Sequence, residues 1–349
     1  MTPSRPATMH DVAKLAEVSQ STVSRVLNER PSGVPISERT RQRVMSAARE
    51  LNYTPNPFAQ ALKGANTRLV GAIVREIADP FFAQMMSSIG ETLGERGYST
   101  VLGDAHSNPE EALRFTQLLD VRHCAGFLVL GDLRDDEAAL HAIRKQRSYV
   151  VAVARGKAVT DVPFVNVDNQ KGVGLALHYL FDLGHRRIAF IHGGWVGDIQ
   201  ERYCAYRGLM EVQGVPILDG YVHWAKSNDP AGGYEAMQAL LSLPEPPTAV
   251  LASDDSMAIG ALQSAADMKV GVPEQVSVVG FDDINAAAYA IPRLTTIRQP
   301  IEEMGRRAVH LLVDMIEEVI APDGAKEIVL EPELVVRESC GPAQGASKR

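Results

Sequence analysis

The sequence of 349 residues has little cysteine and no long apolar run. Its three cysteines, Cys124, Cys204 and Cys340, are odd in number and far apart, and they lack the spacing of metal ligands. They exclude a disulfide framework and are typical of reduced cytoplasmic thiols. No stretch of about 18 apolar residues is present, and no charged segment followed by an apolar one begins the chain. We therefore expect a cytoplasmic protein with no membrane partner.

Recognisable catalytic motifs are also lacking: there is no nucleophile elbow, no phosphate loop ending in Gly-Lys-Ser/Thr and no metal-ligand spacing. Two carboxylate pairs, Asp254-Asp255 and Asp282-Asp283, imitate acid/base machinery, but adjacent residues at an extended strand end point to opposite sides. We interpret His185 and Asp255 as structural caps of helix ends. The sequence predicts that the protein is not an enzyme and carries no cofactor or metal. An enzyme acting on a carbohydrate remains a remote alternative.

The net charge of −8 is distributed unevenly along the chain. Residues 1–64 contain nine basic and five acidic residues, a balance of +4. The remainder contains 26 basic and 38 acidic residues, a balance of −12. A small basic segment on a large acidic body indicates that only the basic segment meets a polyanion.

Residues 1–54 have the pattern of three short helices. Thr8 and Asp11 have capping-box spacing at the start of the first helix, Ser19 can cap the second, and Ser37 begins the third after the Pro/Gly loop ERPSGVPIS. Two helices joined by a tight turn and braced by a third predict a helix-turn-helix domain.

The second of these helices lies in VSQSTVSRVLN, and its outer face is unusual. Val23, Val26 and Leu27 recur at the spacing of one buried helix face. The opposite face carries Gln20, Ser21, Thr22, Ser24 and Arg25. Because Ser and Thr compete with backbone hydrogen bonds, ordinary exposed helix positions avoid them. We predict that this face reads DNA; the alternative is a hydroxyl-rich exposed helix without a partner.

The sequence predicts a short linker with helical character at residues 55–66. Asn56-Pro57 is a helix-start signal and Gly64 ends the run of helix formers. A helix of this length is marginal alone in water. We expect it to become helical on contact with a partner.

From Leu69 onwards the sequence alternates between apolar strands such as LVGAIV and GFLVLG and amphipathic helices. Alternation over some 270 residues predicts parallel sheets with helices on both faces. The expected fold class is α/β, with a small all-α head and a body of two doubly wound parallel α/β subdomains. Ligands bind at the carboxyl ends of the strands in such sheets.

The chain resembles the LacI/GalR family of bacterial transcription regulators along nearly its whole length. The motifs that carry the resemblance are HDVAKLAEVSQSTVSRVLN, ERTRQRVMSAARELNYTPN, DPFF, LGHRRIAFIHG, ERYCAYRGL, LASDDSMAIGAL, VSVVGFDDI and LTTIRQP. The resemblance implies a periplasmic-binding-protein-like body that clamps a small effector. It also implies a homodimer that places two heads on a pseudo-palindromic double-stranded operator.

For DNA binding, Gln20 and Ser21 match the family's two main base-reading positions, and Leu62 matches a hinge residue that wedges between base pairs in the minor groove. The full predicted DNA-binding set is Ser19, Gln20, Ser21, Thr22, Ser24, Arg25, Asn28, Leu62 and Lys63. The alternative for Leu62 is packing of the hinge against the body.

For the effector, Arg202 matches the family's R-x-x-G-[FY] motif, with Ala205 in place of the usual Gly, and Asp282 matches its [FY]-D-[DN] motif. The full predicted effector-binding set is Phe81, Phe82, Asp198, Arg202, Asn228, Asp254, Ser256 and Asp282. Several acids and one Arg favour a sugar or sugar derivative. A purine or nucleoside corepressor stacking on Phe81 or Phe82 is the second candidate, and core packing is the alternative role for these rings.

These observations predict a repressor of a catabolic or transport operon, controlled by an effector between two subdomains. We expect a DNA-binding domain at 1–54, a hinge at 55–66, a body at 67–340 and a tail at 341–349. The predicted subdomains are 67–165 with 291–320, and 166–290 with 321–340. The tail GPAQGASKR lacks the apolar heptads of a tetramerising coiled coil, so a dimer is expected.

Overall fold

A computed structural model gives the fold of the chain. It describes residues 7–27, 35–53, 67–106, 108–119, 124–132, 149–156, 162–194, 197–321 and 327–344. The chain divides into two compact units, Met1–Thr67 and Arg68–Arg349, which we call the head and the body.

The head contains α1 (Met9–Leu15), α2 (Gln20–Leu27) and α3 (Glu38–Glu50). The predicted capping box is confirmed, because the Thr8 hydroxyl accepts from the Asp11 amide while the Asp11 carboxylate accepts from the Thr8 amide. Ser37 caps α3 as predicted. Apolar side chains from the three helices make a small core, formed by Val12, Ala13, Ala16, Val23, Val26, Val44, Ala47 and Ala48.

The body contains two six-stranded sheets. The first has the strand order β11-β5-β4-β3-β1-β2, formed by β1 (Leu69–Val74), β2 (Ser99–Asp104), β3 (Gly126–Leu130), β4 (Tyr149–Val153), β5 (Phe164–Val167) and β11 (Glu327–Leu330). The second has the order β12-β10-β9-β8-β6-β7, formed by β6 (Ile188–His192), β7 (Val222–Trp224), β8 (Ala249–Ala252), β9 (Ser277–Asp282), β10 (Thr295–Arg298) and β12 (Glu333–Val335). All strand pairs among the described residues are parallel except β10 with β12. We call the parts built on the first and second sheets the N-half and the C-half.

The body helices are α4 (Pro80–Glu95), α5 (Pro109–Leu118), α6 (Asn169–Asp182), α7 (Gly197–Val212), α8 (Pro230–Leu241), α9 (Asp255–Asp267) and α10 (Ile301–Ile316). Strands such as β3 and β9 are buried along their whole length, as expected for parallel sheets covered on both faces. The predicted α/β class with a helical head is therefore confirmed. Among the described residues, no helix combines the length and apolar character needed to cross a membrane.

The strand order corrects the predicted subdomain boundaries. The sequence predicts that residues 291–298 belong to the N-half, but β10 pairs in parallel with β9 and buries Ile297 in the core of the C-half. It predicts that residues 327–330 belong to the C-half, but β11 pairs with β5 of the N-half. The chain thus crosses between the halves three times within the described residues, after β5, β10 and β11. Strand pairing set these crossings, and apolar patterning alone does not reveal which strand a segment pairs with.

Two glycines let α8 and α9 pack backbone against backbone. A Cβ on Gly233 of α8 would lie 2.0 Å from the Met257 carbonyl oxygen, and a Cβ on Gly260 of α9 would lie 1.9 Å from the Pro230 carbonyl oxygen. Because neither carbonyl belongs to a flexible side chain, a methyl group at either position must push the helices apart.

We expect Gly260→Ala to destabilise the protein by about 1–3 kcal/mol, since overpacking forces the helix backbones apart. Gly208→Ala is the matched control, because a Cβ on exposed, helical Gly208 meets nothing within 4 Å. It should stabilise the protein by about 0.5–1 kcal/mol through higher helix propensity. Urea unfolding measures both changes, and equal effects of the two substitutions would contradict the packing described here.

Candidate functional sites

The first candidate site is the start of α2 in the head. Ser19, Gln20 and Ser21 are exposed, whereas Thr22, Ser24 and Arg25 are half-buried. Val23 and Val26 on the opposite face are buried in the core of the head. The polar face therefore points away from the core, as a helix that reads a partner must.

The hydroxyls at this helix start form their own network. Ser19 Oγ lies 2.7 Å from Ser21 Oγ and 2.8 Å from Thr22 Oγ1, and it accepts from the Thr22 amide at 3.2 Å. Arg43 of α3 donates to the carbonyl of Ala16 and pairs with the Glu17 carboxylate at 3.2 Å, so α3 fixes the turn that precedes α2. The network holds the side chains at the helix start in a defined arrangement.

The remaining predicted DNA contacts, Asn28, Leu62 and Lys63, lie outside the described residues.

The second candidate site lies where the carboxyl ends of both sheets meet, which we call the cleft. Within the described residues it gathers five carboxylates and three guanidinium groups, from Asp79, Asp132, Asp198, Asp254, Asp282, Arg75, Arg155 and Arg202. All are buried except Asp79, which is half-buried. Burying charge is costly unless it is paired, and one of the ion pairs, between Arg75 and Asp198, joins the two halves.

Arg202 of α7 is the centre of the cleft in the C-half. Its Nε donates to Asn169 Oδ1 at 2.9 Å, and its Nη1 donates to the Ser253 carbonyl at 2.7 Å. Its two terminal nitrogens lie 3.5 Å from carboxylate oxygens of Asp282 and Asp198. The guanidinium also lies 3.8 Å from the centre of the Phe281 ring. This one side chain joins α6, α7, β8 and β9.

Asp282 is held in a strained conformation at the end of β9. Its φ of 115° lies in the left-handed region, which non-glycine residues avoid. Its Oδ1 accepts from Gln299 Nε2 at 2.6 Å and faces Arg202. Burial raises the pKa of the Asp282 carboxyl well above its ordinary value, while Arg202 opposes that change. The Asp282 carboxylate is therefore positioned by Arg202 of α7 and by Gln299, which directly follows β10.

Asp254 is both a helix cap and a cleft residue. Its Oδ1 accepts from the Met257 amide at 2.9 Å and caps α9. Its Oδ2 is buried without a well-aligned donor among the described residues, and the neighbouring Asn228 side chain favours the charged carboxylate. Burial, and then the nearby charge of Asp79 in the N-half, raise the pKa of the Asp254 carboxyl to about 6.

Asn228 also presents a buried acceptor, since its Oδ1 makes no hydrogen bond to a described residue. A Cβ on Gly193 would lie 1.7 Å from this oxygen, so the glycine leaves room for the amide. Ser256, in the first turn of α9, is half-buried.

The N-half contributes cations and acids that reach across the cleft. Arg75 follows β1 and lies 3.5 Å from Asp79 Oδ2 and 3.6 Å from Asp198 Oδ1. Asp132 follows β3, and its Oδ1 accepts from Arg155 Nε at 3.1 Å. Burial and the charge of Asp198 raise the pKa of Asp132 to about 6. Both halves therefore contribute charged groups to the same small volume.

Phe81 and Phe82 are placed in the core of the N-half, with exposed fractions of 4% and 1%. Their rings meet edge to face at 5.1 Å between centres, and the Arg75 guanidinium lies 4.9 Å from the Phe82 ring centre. Of the two roles predicted from the sequence, the structure favours core packing for both rings.

One predicted helix cap is corrected and the other is confirmed. Asp254, not Asp255, caps α9, and Asp255 instead accepts from the Ile284 amide and the Thr296 hydroxyl, which joins α9 to the segments around β9 and β10. His185 caps the end of α6 as predicted, because its amide donates to the Leu180 carbonyl at 3.0 Å. Its ring also contacts the Thr248 hydroxyl and the Gly341 carbonyl, each at 3.0 Å. The contacts of Asp255 and of the His185 ring depend on partners distant in sequence, so local sequence could not reveal them.

Sequence reasoning missed several cleft residues: Arg75, Asp79, Asp132, Arg155, Asn169 and Gln299. A usable signal was present, because each follows within a few residues of a strand end. Examining polar residues after every predicted strand, rather than within family motifs, identifies them.

One grouping of possible metal ligands occurs among the described residues. Oxygen or nitrogen atoms of Glu76, Asp104 and His106 lie within 4.8 Å of one another. Glu76 and Asp104 are half-buried and His106 is exposed, and the cleft contacts described above do not involve them.

Two parts of the chain match known protein families. Residues 8–56 match the bacterial regulatory proteins of the lacI family, and residues 177–340 match the periplasmic binding protein-like domain. The transcriptional repressor CytR of Escherichia coli strain K12 is 36% identical over 339 residues, which cover 95% of this chain and 96% of CytR.

Solved structures agree with the sequence relatives. The transcriptional regulator CelR, solved in complex with cellobiose, is 33% identical in sequence and has a TM-score of 0.72. The match covers 95% of this chain and 99% of the CelR chain. The lac repressor dimer bound to operator and the anti-inducer ONPF is 26% identical and has a TM-score of 0.84, with 97% of this chain and 100% of that chain covered. These relatives are transcriptional regulators and not enzymes. The chain belongs to the lacI family of bacterial regulatory proteins.

Proposed function

We propose that the protein is a dimeric repressor whose DNA affinity is controlled by a sugar or sugar derivative bound in the cleft. The observation that carries the choice of effector is the pair of buried acceptors, Asp254 Oδ2 and Asn228 Oδ1, which belong to neighbouring side chains and have no well-aligned hydrogen-bond donor among the described residues. A buried acceptor without a partner costs free energy, so a ligand that donates hydrogen bonds to both gains affinity. Neighbouring hydroxyls on a sugar ring are such donors.

The charge of the cleft supports the same choice. Five carboxyl groups and three guanidinium groups line the cleft among the described residues, so each cation already has an acidic partner and no cluster of free cations is offered to a phosphate. Hydroxyls can donate to carboxylates and accept from guanidinium groups in one small site. The cellobiose complex of the relative CelR agrees with a carbohydrate effector.

A purine or nucleoside is less well supported. The rings predicted to stack on a base, Phe81 and Phe82, are almost fully buried in the core of the N-half. Neither ring offers an open face for stacking. We therefore rank the nucleoside second.

In this proposal the head and the body have different roles. The head reads a pseudo-palindromic operator in the cytoplasm through Ser19, Gln20, Ser21, Thr22, Ser24, Arg25 and Asn28, and the hinge at 55–66 contributes Leu62 and Lys63. The body at 67–340 binds effector through the cleft residues and carries the dimer contact. The regulated genes belong, in this proposal, to a catabolic or transport operon.

Asp254→Asn tests effector binding while it keeps the cap of α9. Asparagine can still cap α9 through its carbonyl oxygen, but it places a donor where Oδ2 now accepts. A thermal-shift screen of sugars and nucleosides first identifies the ligand. We expect the substitution to weaken the free energy of binding of that sugar by about 1–3 kcal/mol, measured by calorimetry. Undiminished sugar affinity in Asp254→Asn would refute this site, and a screen in which only nucleosides stabilise the protein would favour the second candidate.

The same substitution tests the buried charge. The pKa of Asp254 is raised from 3.8 to about 6 on folding, so the ionised carboxylate destabilises the native state above pH 6 and the cost disappears as the pH falls towards 4. We expect Asp254→Asn, without effector, to be more stable than wild type by about 3 kcal/mol at pH 8, with little difference near pH 4. Denaturant unfolding at both pH values measures this. A gain that is equal at both values would not come from the charge.

Gln20→Ala tests the reading of operator sequence. Loss of a base contact in the major groove should cost ~1–3 kcal/mol at the preferred base and flatten the preference at that position. Lys63→Ala is the comparison, since loss of a phosphate or groove cation should weaken binding to all sequences alike. Selection from random operators distinguishes the two outcomes, and an unchanged preferred site for Gln20→Ala would contradict the assignment.

A further inference from the structure

The two halves of the body touch through a pair of glycines. Gly156 lies shortly after β4 in the N-half, and Gly197 begins α7 in the C-half. A Cβ on Gly156 would lie 2.5 Å from Gly197 Cα, and a Cβ on Gly197 would lie 2.8 Å from Gly156 Cα. At these separations no side chain fits on either residue without moving backbone. The backbones of the two halves are therefore in direct contact at this point.

One carboxylate oxygen fastens the same contact. Asp132 Oδ2 accepts from the Gly156 amide at 2.7 Å within the N-half, and from the Asp198 amide of the C-half at 3.2 Å. The Asp198 amide lies in the first turn of α7, where backbone N–H groups have no acceptor within the helix. Asp132 supplies that acceptor from the opposite half. Its other oxygen, held by Arg155, fixes the orientation of the carboxylate.

The Asp198 side chain adds a charged link in the same place. Its Oδ1 lies 3.6 Å from Arg75 Nη1 of the N-half, and its Oδ2 lies 3.5 Å from Arg202 Nη2 of the C-half. The Asp198 amide and carboxylate thus both engage the N-half, while Arg202 keeps the residue tied to the remainder of the effector site.

We propose that Asp132, Gly156, Gly197 and Asp198 form a latch that holds the two halves together through protein atoms alone. The latch joins the halves by direct contacts between protein atoms, so it contributes to closure in addition to whatever contacts an effector makes. An effector changes the population of the latched state only by the difference between its affinities for the latched and unlatched states. The latch does not depend on the effector being a sugar, and its test needs no ligand.

Hydrogen exchange at the Asp198 amide tests the bond, measured on the full-length protein by mass spectrometry with residue-level fragmentation. In wild type we expect exchange at least about tenfold slower than for an unprotected amide, because an amide in the first helical turn owes its protection to an acceptor outside the helix. Asp132→Ala should return the amide to its unprotected rate. The Val279 amide in the buried strand β9 should stay protected in every variant, which shows that the fold is intact.

Gly197→Ala tests whether the contact holds the halves together. Its methyl group would lie 2.6 Å from Asp132 Oδ2 as well as against Gly156, so it should separate the halves without removing any bonding group. Gly208→Ala is the matched control on the same helix, because a Cβ there meets nothing within 4 Å. We expect faster exchange at the Asp198 amide and a larger radius of gyration by small-angle scattering in Gly197→Ala, and no change in Gly208→Ala.

Three outcomes would overturn the proposal. An Asp198 amide that is unprotected in wild type means that the bond is not formed in solution. Protection that persists in Asp132→Ala or Gly197→Ala means that another group supplies it. Protection that is lost in both variants, with an unchanged radius of gyration, means that the bond is local and does not close the cleft.

Discussion

The body depends on a buried ionic network built around the Arg202 guanidinium. A guanidinium cannot lose its proton in a protein, so once it is buried its neighbours must supply acceptors. Asn169, the Ser253 carbonyl, Asp198 and Asp282 supply them from four different segments. These segments meet at the carboxyl ends of the C-half strands, and Arg75 extends the network to the N-half through Asp198. Removing one member leaves the others buried and uncompensated, which is why such networks position a site so firmly.

The same network keeps several hydrogen-bond acceptors away from water inside the cleft. Burial raises the pKa values of Asp132, Asp254 and Asp282. Keeping these carboxylates ionised and away from water therefore destabilises the folded protein. The strained φ of Asp282 adds to that cost. A ligand that donates hydrogen bonds to these acceptors would offset part of this destabilisation. The proposed effector site thus lowers the stability of the free protein and raises its affinity for a matching ligand.

The head follows a different principle. Its core is small and made mainly of Val and Ala. The caps at Thr8 and Ser37 and the contacts of Arg43 with the turn therefore supply a larger share of its stability than they would in a large domain. Small side chains also allow the three helices to pack closely. The polar face of α2 then has a fixed orientation, with hydroxyl groups already linked to one another.

The sequence by itself determined the class of the fold, the helix-turn-helix with its caps at Thr8 and Ser37, and the place of Arg202 and Asp282, because each depends on local periodicity or on a short motif. The tertiary structure decided the rest. Which half β10 and β11 join depends on strand pairing over long sequence separations, and the cap at Asp254 rather than Asp255 depends on where α9 begins. The cleft residues Arg75 and Asp132 and the Gly156–Gly197 contact arise only when strand ends far apart in sequence meet. No local pattern encodes that meeting, since it is fixed by the packing of two sheets.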